Sequence, residues 1–196
     1  MRKVFLSALV AVIAVPSQAV IFRFATFMTS DQESPPNGSP AFGSGGIEID
    51  TVLGTVKGTM TAHNLVNGPG SVLDYHIHQA PPGVAGPVRV WINQPGNIID
   101  IAGNTWTSRF DLAMTRRDGG AGVLFDYDGD TTTGPDPDDV NTLVGLLQSG
   151  QMYMNLHTSF SGSGEIRGQL VEVVPEPASL AALGLGAFAL LRRKRR

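Results

Sequence analysis

The chain has 196 residues, no cysteine and a formal charge of -3, with 24 glycines and 13 prolines. Absence of cysteine excludes a disulfide framework, a thiol nucleophile and any thiolate metal site, while the glycine and proline content favours short strands joined by turns over a helical bundle. Half of the fourteen basic residues lie near the two termini, so residues 20–174 carry 7 Lys plus Arg against 16 Asp plus Glu, a charge of -9; such a domain repels nucleic acid and anionic headgroups.

In chain order, Arg2 and Lys3 precede an apolar run from Val4 to Val15 and a small-residue site at Ser17-Gln18-Ala19. This order reads as a secretory signal peptide over residues 1–19, cut after Ala19, with signal peptidase as the expected partner. Val20 to Thr29 alternates as a strand. Residues 30–46, SDQESPPNGSPAFGSGG, have loop composition, and Ile47 to Met60 alternates around Gly54 and Gly58 as bends or bulges.

Val72 to His78 is the next expected strand, with Leu73, Tyr75 and Ile77 on one face and Asp74, His76 and His78 on the other. Val88 to Ile92 forms a short apolar strand, and Asn104 to Met114 places Trp106, Ser108, Phe110 and Leu112 together. Residues 115–122 and 129–137 are turn-rich, and Val140 to Leu147 fits two short helical turns. Met152 to Thr158 and Glu165 to Val174 supply the last strands. The expected fold is all-β, an antiparallel sandwich or barrel, with residues 20–174 as one domain large enough for its own core. An α/β fold lacks its glycine-rich strand-to-helix signature here.

The tail opens with Val174-Pro175-Glu176-Pro177, continues through a nearly all-apolar segment from Ala178 to Leu191 and ends in five basic residues. As a helix that segment rises about 21 Å, short of the roughly 30 Å hydrocarbon core, though flanking arginines can snorkel. Basic residues after the apolar run favour retention of that end on the cytoplasmic side. Pro175, Glu176 and Pro177, the apolar segment and the Arg-rich end resemble the PEP-CTERM sorting signal. The resemblance implies a short C-terminal hydrophobic helix that meets the membrane at least transiently, and processing of residues 175–196 by an exosortase, a membrane cysteine protease. Delivery to the cell envelope or the outside follows.

His76 and His78 point the same way on a strand, so both imidazoles can approach one ion at about 2.0–2.1 Å. His157 can meet them only if its strand is adjacent or the sheets face each other, and Asp74, on the same face, and the distant His63 are further candidates for a copper or zinc site. The doublet is similar to that of Cu/Zn superoxide dismutase, but the likeness stops there and the disulfide of that family cannot form without cysteine. The alternatives are metal binding, with or without redox catalysis, and histidines that serve the fold or bind a ligand without metal. Tyr153 and Asn155 share a face with His157, opposite Met152, Met154, Leu156 and Thr158, and suit a polar network with the first histidine segment. Glu165 and Arg167 share a direction, and either their short-range charge balance or bonds to the turn at Ser161 to Gly164 are expected to fix the strand entry.

The stretch 126–139 offers six carboxylates for calcium, Asp126, Asp128, Asp130, Asp136, Asp138 and Asp139. It departs from an EF-hand because Thr131 replaces the glycine of the sharp turn and Pro137 stands where the bidentate Glu belongs.

Together DYHIHQAPPGVAGPV and GQMYMNLHTSFSGSGEIRGQL resemble the CHRD domain, named from chordin. The match rests on His76, Ile77, His78, Gly86, Pro87 and Val88, then on Tyr153, Asn155, His157, Thr158, Gly164, Glu165, Ile166, Arg167 and Gly168. It implies a β-rich extracellular module without generally assigned chemistry. No nucleophile elbow, phosphate loop or zinc-protease motif accompanies it. The expected function is a noncatalytic exported protein of the envelope, extracellular matrix or biofilm, with envelope or matrix polymers as partners. The alternatives are a metal-binding or metal-dependent oxidoreductase domain and a calcium-supported adhesion module.

Overall fold

The computed structural model describes residues 20–113 and 137–174. Its strands are β1 (Ile21–Thr29), β2 (Phe42–Asp50), β3 (Thr55–His63), β4 (Val72–Gln79), β5 (Val88–Val90), β6 (Ile98–Ala102), β7 (Thr105–Ala113), β8 (Met152–Thr158), β9 (Ile166–Gln169) and β10 (Val171–Glu172), with one helix, α1 (Pro137–Gln148), before β8. All pairings are antiparallel within one sheet of order β5-β4-β8-β9-β1-β2-β3-β7-β6, and β10 pairs with β1.

That sheet curls. β4 and β7 are six strand spacings apart in the order, roughly 29 Å if flat, yet the Tyr75 and Trp106 rings meet edge to face at 5.0 Å and Ser108 Oγ donates to Tyr75 Oη at 2.9 Å. The expected sandwich or barrel therefore takes the form of an open half-barrel whose two ends face each other across one core. The inward faces obey the alternation read from sequence: Phe24 and Met28, Tyr75 and Ile77, Trp106, Phe110 and Leu112, and Met152, Met154 and Leu156 are all buried in a single cluster. The helix is longer than the expected two turns. Val140, Leu143, Val144 and Leu147 recur at helical spacing and join the same cluster.

Two segments depart from expectation. Ile47 to Met60 is broken into a hairpin, because the Asp50 carboxylate accepts from the backbone N–H groups of Val52 and Leu53 at 2.9 Å each and Gly54 takes φ 60°. The glycine-rich 42–46 is strand rather than loop: a Cβ at Gly43 would stand 2.4 Å from the Thr61 carbonyl oxygen, and one at Gly45 2.3 Å from Met154 Sδ, so β2 packs where side chains would crowd its neighbours. β6, IIDIA, had no sequence assignment and is exposed along its length. Glu165 to Val174 divides, β9 pairing with β8 and β10 with β1.

Beneath this packing lies a functional consequence. The outward face of β4, β8 and β9 is polar, and it too is covered, by the loops 30–41 and 80–87 and the turn 159–165. The histidines sit there, on the far side of the sheet from the hydrophobic core.

Candidate metal centre

Antiparallel pairing sets Asp74 opposite His157, His76 opposite Asn155 and His78 opposite Tyr153. Period-two alternation puts all six on one face, and candidate ligand atoms of His76, His78 and His157 all lie within 4.8 Å of one another. His76 and His78 are both buried, and His157 is half-buried.

Each imidazole is oriented by an acceptor on one nitrogen. His78 Nδ1 meets Gly86 O at 2.9 Å, His157 Nδ1 meets Gly162 O at 3.0 Å, and His76 Nε2 meets Asp74 Oδ2 at 2.7 Å. A carbonyl can only accept, so Nδ1 of His78 and of His157 carries the proton, and their Nε2 lone pairs face each other at 3.4 Å. Two lone pairs at that separation repel unless a cation lies between them. Nitrogens bound tetrahedrally at 2.0–2.1 Å stand about 3.3–3.4 Å apart, which is the distance found. His76 Nδ1 is buried and has no hydrogen-bond partner among the described residues, which leaves it available as a third ligand atom. Ligand histidines whose second nitrogen is tied to a carbonyl or carboxylate are the usual outer-shell arrangement of metal sites.

Burial favours the neutral form of His78 and His157. It pushes His78 down to about 4, with the neighbouring His157, His76 and Arg167 charges adding to it and the Gly86 hydrogen bond opposing. Burial lowers His157 as well, with the Gly162 hydrogen bond opposing. Glu33, on the covering loop, is raised by burial to about 7, against the pull of Arg167 and the hydrogen bond from the Ser34 backbone.

These shifts have opposite linkage. Neutral His78 binds fewer protons folded than unfolded between about 4 and 6.5, so stability rises with pH there; Glu33 binds more between 4.5 and about 7, so stability falls. In the metal-free protein the His78 and Glu33 slopes oppose each other, and His157, lowered in the same direction as His78, adds to the rising one. Glu33→Gln removes one of them, and unfolding free energy should then rise between pH 4 and 6.5, His78 alone supplying on the order of 3 kcal/mol. Denaturant titrations across that range check this, and a flat profile in Glu33→Gln contradicts it.

The other sequence candidates fall elsewhere. His63 does not join the cluster: on β3 its Nδ1 meets Thr105 Oγ1 at 2.9 Å and its ring stacks on Phe42 at 5.0 Å. Asp74 is the orienter of His76, and its Oδ1 accepts from Tyr75 N and Asn93 Nδ2. Asp126, Asp128, Asp130 and Asp136 lie outside the described residues, whereas Asp138 and Asp139 fall in the first turn of α1.

The remaining motif residues build the enclosure. Tyr153 stacks on His78 at 5.0 Å and 14°, accepts from Gly86 N at 3.1 Å, and receives the Arg167 guanidinium 4.7 Å from its ring centre. Gly86 has no room for a side chain, since a Cβ would lie 1.9 Å from Gln79 O, and Pro87 O accepts from Gln79 N. Arg167 donates to Gln32 O and, at 2.9 Å, to Val84 O, fastening both loops over the site. Gly168 approaches the Phe27 carbonyl too closely for any Cβ, and Ile166 fills the core on the other face.

Glu165 and Arg167 do not pair. The fully buried Glu165 carboxylate accepts from Ser39 Oγ at 2.6 Å, Val66 N at 2.9 Å and Thr158 Oγ1 at 2.5 Å, tying together three segments distant in sequence. Asn37 Nδ2 adds bonds to the carbonyls of Gly164 and Glu165. Sequence reading missed Glu33, Asn37 and Ser39, which sit in a Ser/Pro-rich loop with no periodicity to mark them.

No helix among the described residues is long and apolar enough to cross a membrane, and the tail segment 178–191 lies outside them, as does the expected signal peptide. No curated protein and no solved structure matches the chain. Two family models do. The PEP-CTERM protein-sorting motif covers residues 173–196 and implies an exosortase-type partner, and with the second match it marks an exported protein of the cell envelope. The second match, the CHRD domain, spans residues 24–170 and takes in every strand of the histidine face, so the chain belongs to the CHRD-domain family.

Proposed function

We propose that the CHRD domain is a noncatalytic envelope or matrix module that holds one zinc or copper ion through His78 Nε2, His157 Nε2 and His76 Nδ1. One observation carries the reading: two Nε2 lone pairs face each other at 3.4 Å while both Nδ1 protons are committed to carbonyls. Neutral imidazoles suit both metals, and neither needs a thiolate in such a site. The acidic domain suits an exported module in contact with envelope or matrix polymers, with signal peptidase acting at residues 1–19 and the tail meeting the membrane at least transiently.

Metal analysis of the purified exported protein tests the site. The parent should retain about one equivalent of zinc or copper under metal-replete conditions, and His76→Ala/His78→Ala should retain none; negligible metal in both removes the proposal. Deleting residues 20–174 with both sorting segments kept should alter envelope association or matrix properties. Unchanged behaviour would count against a role for the domain there.

A further inference from the structure

Four buried polar atoms that lack a hydrogen-bond partner among the described residues fall together: Glu33 Oε1, His76 Nδ1, Asn155 Oδ1 and Arg167 Nη2. His76 lies opposite Asn155 across β4 and β8, and Asn155 lies opposite Arg167 across β8 and β9, so the three make one row on the polar face. Glu33 meets the row from the covering loop. A Cβ on Gly164 would stand 2.4 Å from Asn155 Oδ1 and 2.7 Å from Glu33 Oε1, which places both side-chain ends over that glycine. Folded interiors leave few such groups unpaired. A row of them is a place completed by something else.

Charge says what completes it. Arg167 is 3% exposed, bonds only to carbonyls and forms no ion pair among the described residues. Glu33 lies near enough to feel that charge, yet burial pushes its carboxyl up to about 7 and no ion pair forms between them; a buried guanidinium so weakly balanced is costly, and its planar fork suits a carboxylate. At the other end of the row the candidate metal site offers three imidazoles, with no fourth His, Asp or Glu ligand in the group among the described residues. Asp74, through His76, offsets one of a divalent ion's two charges, leaving one for an exogenous anion. Beside Arg167, at that end of the row, lies a pocket of about 370 Å³ lined also by Asp31, Gln32, Glu33, Gly83 and Gln169, though by neither Asn155 nor a histidine.

We infer that the row from His76 to Arg167 is a binding site for a small carboxylate-bearing molecule, an oxygen of which takes the fourth position of the ion while the rest meets Asn155 and Arg167. The inference rests on the metal reading above. Asn155 is the middle contact: its amide turns to present either the oxygen or the NH₂, and the NH₂ serves a carboxylate.

Cobalt(II) is the probe, because its visible absorption reports a change of fourth ligand. The cobalt-loaded protein is titrated with acetate and with succinate, and with chloride at equal ionic strength. We expect a saturable spectral change with the carboxylates that chloride does not reproduce. Asn155→Leu should weaken it at least tenfold while cobalt affinity stays within twofold. Arg167→Lys, which keeps the charge and loses the fork, should weaken succinate more than acetate and serves if Asn155→Leu does not fold. Cobalt binding with a spectrum indifferent to carboxylate overturns this inference and leaves the metal site standing, as does carboxylate affinity unchanged in both variants. Failure to bind cobalt at all removes the metal reading, and the inference falls with it.

Discussion

Glu165→Ala is expected to destabilise the domain by about 3–5 kcal/mol, the range for removing one member of a buried charged network. The substitution strands Ser39 Oγ, Val66 N and Thr158 Oγ1 without their acceptor and leaves a cavity where a fully buried side chain stood. The loop 30–41, the connection after β3 and the turn before β9 all lose their common anchor. Against a total stability of about 5–15 kcal/mol for a domain, that loss brings the protein close to unfolding at ambient temperature. Glu165→Gln preserves shape but turns an amide NH₂ toward a donor, and should fall between parent and alanine. Urea unfolding midpoints measure all three, and a cost under about 1 kcal/mol for alanine would show that the carboxylate is not the anchor.

A second large effect is metal-dependent stabilisation. An ion that binds the folded protein alone, present at a thousand times its dissociation constant, adds about 4 kcal/mol. Added zinc should therefore raise the unfolding midpoint of the parent and leave His78→Ala unmoved. Comparing the metal response of each protein with its own metal-free state separates coordination from packing, because His78→Ala also loses the stack on Tyr153. An equal response in parent and variant would place the ion elsewhere.

Alternation made much of this legible. In VLDYHIH and MYMNLHT it separates the core residues Tyr75, Ile77, Met152, Met154 and Leu156 from the polar residues His76, His78, Tyr153, Asn155 and His157, and the structure keeps that division. Alternation does not say which strands are neighbours. The approach of His157 to the doublet, the rejection of His63 and the use of Asp74 as an orienter all depend on the β4–β8 register. Short-range reasoning likewise tied Glu165 to the adjacent turn, whereas two of its three donors come from residues about a hundred positions away or more. Glycines misled for a related reason: Gly43 and Gly45 read as loop because their strand role comes from what crowds against them.

X-ray absorption at the metal edge of the zinc-loaded protein tests the central claim most directly. The account predicts three imidazole nitrogens at about 2.0–2.1 Å and one lighter-atom ligand besides, with the imidazole scattering lost in His76→Ala/His78→Ala. Coordination by oxygen alone, or an unchanged spectrum in the variant, would contradict it.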